Sequence, residues 1–262
     1  MKNLILIKFG GSAITEKNKR KTPNYKVINQ LAREIAEARK KTKDLLLIGH
    51  GQGSFAHVPA KKFKTKEGNI NLKSAIGIAQ VRLECIELNA IILDALIKNQ
   101  VPAVTFEPHA FLTTNYQLPT THYLDPIIIA LQNNLVPVIY GDTIMDKKIG
   151  WTIYSGEQIL NILALNLSGF KPKLIIEVGQ TEGVLDTNSK TIPKITPGNF
   201  KSIEKMLSET TTADVTGGMK HKVQEALTLA QKGIPTLLIS SKPGNPKNAI
   251  LGKKTQGTWI IK

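Results

Sequence analysis

The sequence predicts an α/β fold, with a mostly parallel central sheet sandwiched between helices and β-hairpin elaborations. Three observations lead there. Short apolar runs at 4–9, 45–48, 101–106, 136–140, 173–178, 236–239 and 258–261 have the length of buried strands. Segments with apolar residues at helical spacing lie between most of them. A strand–helix–strand–helix order favours parallel pairing with helices on both faces. Hydrophobic residues make up 41% of the 262, enough for a full core.

The first strand, 4–9, is apolar except for Lys8 and runs into Gly10-Gly11-Ser12. Residues 13–21 are polar and basic. Pro23 fits the first turn of a helix, and Val27, Ile28, Leu31, Ile35 and Ala38 repeat at helical spacing to about Lys41. Strand 45–48 leads into Gly49-His50-Gly51-Gln52-Gly53-Ser54-Phe55-Ala56-His57. Residues 58–71, lysine-rich with Pro59 and Gly68, read as a mobile surface segment of the kind that lies over active sites. Ile78, Val81, Cys85, Leu88, Ile91, Ile92 and Ala95 mark a long helix over 74–98. Its face is core, though Ile78, Val81 or Ile86 could also line an apolar pocket beside His57. Strand 101–106 is followed by an irregular stretch, 107–121. Asp125-Pro126 opens a short helix to about Asn133, and strand 136–140 ends in Gly141-Asp142. Residues 146–154 read as a hairpin. Ser155-Gly156-Glu157 caps a helix through Leu167, with Glu157 in the first turn, where an acid is favoured. Strand 173–178, an irregular connection over 179–197 and a short helix over 199–207 follow. Asp214-Val215-Thr216-Gly217-Gly218-Met219-Lys220-His221-Lys222 then enters a helix that ends at Gly233. No linker or repeat divides the chain, so 1–262 reads as a single domain with an N-terminal lobe of about 1–165 and a C-terminal lobe of about 166–262.

Formal net charge is +15, from 35 Lys+Arg against 20 Asp+Glu. The lysines are spread along the chain, which favours a solvated basic surface over a polyanion-binding face. Aromatic residues are only 5%, and no zinc-finger, KH or RRM signature occurs, so nucleic acid is not the expected partner. Cys85 is the single cysteine; it excludes an intrachain disulfide and fits a reducing cytoplasm. No apolar run reaches the length of a membrane span, and the start reads as a strand rather than a signal peptide. Neither His109 nor His122 has companions at transition-metal spacing.

Chemistry concentrates at two glycine turns, each following an apolar strand. Glycines at 49, 51 and 53 let the chain turn sharply and bring bare N–H groups to an anion, and Ser54 adds a hydroxyl. His57 closes that run as a phosphate-binding donor or a group that titrates near neutrality. In the other turn, Lys8 sits at the end of a buried strand just before Gly10-Gly11-Ser12 and needs a counter-charge, which a phosphate would supply unless the side chain snorkels to the surface. Lys17 lies within reach of the same turn. Two such turns suggest two phosphate groups facing each other. Asp142, just past a strand's carboxyl end, stands where ligands bind in open α/β sheets; it would orient a lysine, hold Mg²⁺, or serve as an ordinary turn residue. Gly217 and Gly218 open a helix whose amides can bind phosphate, with Lys222 one turn in.

Lys8-Phe9-Gly10-Gly11-Ser12-Ala13-Ile14-Thr15 with Lys17, the glycine loop ending in His57, Gly141-Asp142, Ser155-Gly156-Glu157, and Asp214-Val215-Thr216-Gly217-Gly218-Met219 with Lys222 together resemble the amino acid kinase superfamily, and within it the isopentenyl phosphate kinases. The likeness covers nearly the whole chain in the family's order, and the Gly-Ser-Phe-x-His ending is its discriminating feature. No P-loop signature is present. The resemblance implies ATP-dependent phosphorylation of isopentenyl phosphate to isopentenyl diphosphate. It implies Mg²⁺, a cytoplasmic homodimer, an acceptor site in the first lobe and a nucleotide site in the second. Lys8, Gly10, Gly11 and Ser12 would cradle the transferring phosphoryl group, and Lys17 would stabilise its charge. His57 would bind the acceptor phosphate with Gly53, while Gly156 approaches the acceptor. Gly218 and Lys222 would bind ATP, and Asp142 would position the lysines or the metal.

The chain departs from that pattern at Gln52 and Ala56, where glycines are usual; at Glu157 and Glu182, where aspartates are common; and at Gln180, in place of an acid. Gln52 would donate to a phosphate or crowd the acceptor. Ala56 occupies a position that favours positive φ. These departures imply a slower enzyme or an altered acceptor preference. The rival readings are a kinase for another small phosphate or phosphonate, of the fosfomycin kinase kind, and a non-catalytic nucleotide-binding relative. DNA binding through the basic surface comes third.

Overall fold

The computed structural model describes residues 1–16, 18–209 and 218–262. The chain runs β1 (Lys2–Phe9), α1 (Gly11–Ile14), α2 (Tyr25–Arg39), β2 (Leu45–His50), α3 (His57–Lys62) and a 3-10 turn at Thr65–Glu67. Then come α4 (Ser74–Lys98), β3 (Ala103–Thr105), α5 (Pro108–Phe111), β4 (Leu112–Asn115), β5 (Leu118–His122), α6 (Asp125–Gln132), β6 (Val136–Tyr140), β7 (Asp142–Asp146) and β8 (Gly150–Tyr154). The rest is α7 (Gly156–Asn166), β9 (Phe170–Gly179), β10 (Lys194–Ile195), α8 (Pro197–Glu209), α9 (Gly218–Gln231), β11 (Thr236–Ser240), α10 (Asn245–Ile250) and β12 (Gly257–Ile260).

Eight strands form one sheet in the order β10-β12-β11-β9-β1-β2-β6-β3. Every neighbouring pair is parallel except β11 and β12. The two-residue period of β1 explains why it lies centrally. Ile5, Ile7 and Phe9 enter one core, packed with α2, α4 and α10. Leu4 and Leu6 enter the opposite core, packed with α6 and α7. A third cluster joins α8 and α9 to Leu238 and Ile260. A strand buried on both faces is continuously apolar, as this one is until Lys8. That break falls at the carboxyl end, where parallel sheets hold ligands.

A second sheet, β5-β4-β7-β8, covers the same end. It replaces most of the irregular stretch expected over 107–121, and its β7–β8 hairpin starts at Asp142 rather than Asp146. The lysine-rich segment over 58–71 carries secondary structure that the sequence did not announce, α3 and the 3-10 turn. It is tied to the hairpin: Asn69 N–H donates to the Ile149 carbonyl at 2.9 Å. Ala56 adopts φ +60° immediately before α3 and donates its N–H to Glu84 Oε2 at 2.8 Å. Among the described residues no helix is long and apolar enough to cross a membrane.

Asp146 ties the second sheet together. Its buried carboxylate accepts N–H bonds from Tyr116 (3.2 Å), Gln117 (2.7 Å), Lys148 (2.8 Å) and Ile149 (3.0 Å), and the Thr114 hydroxyl at 2.7 Å. Burial alone would push this carboxyl up, but the donors hold it far below the usual carboxylate range. A depressed pKa stabilises the fold above the unfolded value of about 4 and loses that contribution as pH falls. Asp146→Ala should therefore cost about 2–4 kcal/mol at neutral pH. The loss should shrink at about pH 3, as read by denaturant melts at both pH values; an equal loss at both would count against the assignment.

Candidate active site

Strand alternation builds the centre of the site. Lys8 follows Leu4 and Leu6 on one face of β1, and Glu177 follows Ile175 on the same face of β9. Register sets Gly49, Lys8, Glu177 and Leu238 side by side across four strands. The absent side chain at Gly49 lets α7 come down on the sheet, since a Cβ there would lie 2.8 Å from Leu160 Cδ1. Gly156 is equally constrained: its Cβ would lie 2.7 Å from the His50 carbonyl. Ser155 starts the helix with a full capping box. Glu157, one turn before Leu160, is thereby held over Lys8.

The two form an ion pair with Lys8 4% exposed. Lys222 on α9 brings a second ammonium group to 3.5 Å from the same Glu157 oxygen. Burial pushes the Glu157 carboxyl up, but Lys8 and then Lys222 outweigh it and hold it well below its ordinary value. Two cations are thus held close together, with one carboxylate offsetting their repulsion.

The two glycine turns meet back to back beside this pair. A methyl group on Gly11 would overlap the Gly53 nitrogen, and one on Gly51 would lie 2.9 Å from the Gly11 nitrogen. Gly53 has φ +52° and Gly10 packs on the Val178 carbonyl, so both turns depend on missing side chains. Among the described residues, the N–H groups of Gly11, Ser12, Gln52 and Gly53 donate to no protein acceptor. Free amides from two turns make an anion-binding concavity. Behind it, His50 is fully buried; burial lowers its pKa to about 4 despite hydrogen bonding to Gly51 and Asn89, so it is neutral core.

Of the residues singled out in the sequence, Lys8, Gly10, Gly11, Ser12, Gln52, Gly53 and Gly156 belong to these converging turns and the α7 start, and Lys222 reaches their carboxylate. Gly218 opens α9. His57 opens α3 directly after the second turn, with its side chain exposed. Lys17, Asp214 and Gly217 lie outside the described residues. Two assignments change. The Gln52 side chain donates to the Gly141 carbonyl at 2.7 Å, so it braces two strand ends, and only its main-chain N–H remains for a ligand. Asp142 does not hold the lysines. Its buried carboxylate accepts from Thr143 N–H at 2.8 Å and from His109 Nδ1 at 2.8 Å. On the far side of the ring, His109 Nε2 lies 2.6 Å from the Arg82 guanidinium and 3.2 Å from the Glu107 carboxylate. The carboxylate that pairs with both Lys8 and Lys222 is Glu157, which the sequence marked as a first-turn acid and as part of the family motif, in place of an aspartate, but not as their partner.

On the β9 and β12 side lies a cavity of about 500 Å³ lined by Thr181, Glu182, Leu185, Lys190 and Gln256. Gln180, the residue before Thr181, donates to the Ser12 carbonyl at 2.7 Å and links this side to the first glycine turn.

Comparison with known proteins matches residues 3–240 to the amino acid kinase family. The chain is 32% identical over 269 residues to an isopentenyl phosphate kinase of Methanothermobacter thermautotrophicus, covering 98% of both chains. It is 33% identical over 266 residues to one of Methanocaldococcus jannaschii, again covering 98% of both. A solved isopentenyl phosphate kinase superposes with a TM-score of 0.83 at 27% identity, covering 99% of this chain and 100% of that one.

The contact between the turns yields a direct test. Gly11→Ala must push Gly53 away, and displacements of about 1 Å in such sites cost about 10²-fold in rate. The variant should keep its thermal midpoint within a few degrees while phosphotransfer falls by about that factor. Wild-type turnover in a folded Gly11→Ala protein would show that the turns need not touch.

Proposed function

Because this chain belongs to the amino acid kinase family, we propose that it transfers the terminal phosphoryl group of ATP to the phosphate of isopentenyl phosphate, giving isopentenyl diphosphate and ADP. The observation that carries the reading is the pairing of two open amide turns with two lysines on one carboxylate. That donor set suits phosphate groups. An acceptor phosphate oxygen attacks the γ-phosphorus, and the bond from that phosphorus to the β,γ-bridging oxygen breaks. The attacking oxygen is already anionic near neutral pH, so a strong base is unnecessary. The obstacle is repulsion between two polyanions, which fixed amides and ammonium groups reduce.

In this reading the turn at Gly10, Gly11 and Ser12 cradles the transferring group, with Lys8, and with Lys17 adding charge. The Gln52 and Gly53 amides and the His57 side chain hold the acceptor phosphate, and Gly156 closes its other side. Gly218 and Lys222 bind ATP. The two lobes are halves of one sheet: the β2–β6–β3 half takes the acceptor, and the β9–β11–β12 half takes the nucleotide, whose nucleoside suits the 500 Å³ cavity. Mg²⁺ would ride on the nucleotide's phosphate oxygens and supply charge neutralisation there.

The test is ATP consumption across isopentenyl phosphate, dimethylallyl phosphate, longer prenyl phosphates and fosfomycin. Isopentenyl phosphate should be the preferred acceptor. Lys8→Met should lower kcat by about 10²-fold or more, and His57→Ala should mainly raise KM for the acceptor. Preference for fosfomycin would replace this acceptor with a phosphonate, and no turnover with any of them would leave a nucleotide binder.

We also propose a cytoplasmic homodimer joined through α4. Ile76 and Leu83 stand one heptad apart on its solvent face, Ile97 follows two heptads after Leu83 with Ala90 between, and Ile86 lies beside them; all four large side chains are exposed. Light scattering should give twice the chain mass, and Leu83→Glu should halve it; a wild-type monomer would refute the dimer.

A further inference from the structure

The mechanism leaves one charged group at its centre unused. Glu177 lies in an otherwise apolar strand, directly opposite Lys8 in the β1–β9 register and on the same sheet face. Paired positions on adjacent strands bring side chains to roughly 5 Å. Its carboxylate is partly buried and has no hydrogen-bond or ion-pair partner among the described residues.

The charges around it are Lys8 on β1, Glu157 on α7, and Lys222 and Glu225 on α9, where His221 pairs with Glu225 at 3.2 Å. The neighbour on β11 is Leu238, which carries no charge. Glu157 already engages both lysines, so an ionised Glu177 would compete with it for Lys8 and repel an entering phosphate.

Resting on the kinase reading above, we propose that Glu177 is a proton-linked positioning residue. It takes up a proton as ATP binds and so leaves Lys8 to the transferring phosphate. Burial first, and then the Glu157 and Glu225 carboxylates, raise its carboxyl above the ordinary glutamate value, while Lys8 and Lys222 pull the other way. A polyanion arriving at Lys8 adds to the upward push. The proton comes from solvent, and no bond to carbon or phosphorus changes.

The sign follows from linkage. A group protonated more in the complex than in the free protein makes binding weaken as pH rises, by at most about tenfold per pH unit for one proton. The experiment is calorimetric titration of the full chain with ATP, without acceptor, in buffers of different ionisation enthalpy between about pH 6 and pH 9. Wild type should take up protons beyond those exchanged by ATP itself, and KM for ATP, rather than kcat, should climb with pH. Glu177→Gln, a permanently neutral isostere, should abolish both the uptake and the climb. A residue with a merely structural role would shift the melting point and leave both in place. Equal uptake in wild type and Glu177→Gln would overturn the proposal. If that variant fails to fold, ATP binding to wild type with no uptake anywhere in the range overturns it alone. Absence of ATP binding would strike the kinase reading, and this proposal with it.

Discussion

The rest of the site depends on one carboxylate holding two ammonium groups. Glu157 sits on the buried Lys8 and within 3.5 Å of Lys222, whose side chain is still 30% exposed. Without that carboxylate, the two ammonium groups would repel each other across a partly desolvated site. With it, both are held ready at the end of the sheet. Much of the local sequence serves this contact. Gly49 and Gly156 have no side chain because α7 must approach the sheet closely, and the Ser155 capping box fixes where its first turn begins.

The sheet brings these groups together from distant parts of the chain. Lys8 and Glu157 are 149 positions apart, yet parallel strands deliver β1, β2 and β9 to the same edge. The glycine turns leave that edge with unpaired amides. Cationic side chains and open N–H groups thus gather at one end of the sheet. That grouping suits the chemistry of the family to which the chain belongs, which handles phosphate groups.

What the sequence made legible was local. Helical spacing located α4 at 74–98 and apolar runs located β6 at 136–140, because burial writes a period into the chain. The Ser155 cap was readable for a different local reason, because a serine hydroxyl suits the free amides at a helix start. Chain reversals were harder: α3 begins after Ala56 at φ +60°, a conformation no periodicity announces, and α10 is too short to show one. At the site, Asp142 looked like the organising acid from its place after a strand. The structure shows it spent on His109 instead. Glu157 carried a signal for its helix cap but none for a partner 149 residues away. Glu177 went unremarked in the sequence, although a carboxylate inside an otherwise apolar strand is a mismatch that could have marked it.

The most direct measurement is a double-mutant cycle on kcat between Glu157 and Lys222, using Glu157→Gln, Lys222→Met and the pair. If the carboxylate and the lysine act as one unit, the double variant will be no slower than the slower single variant, to within about threefold. If the two losses multiply, each residue acts on its own, and the arrangement described here is not what drives the reaction.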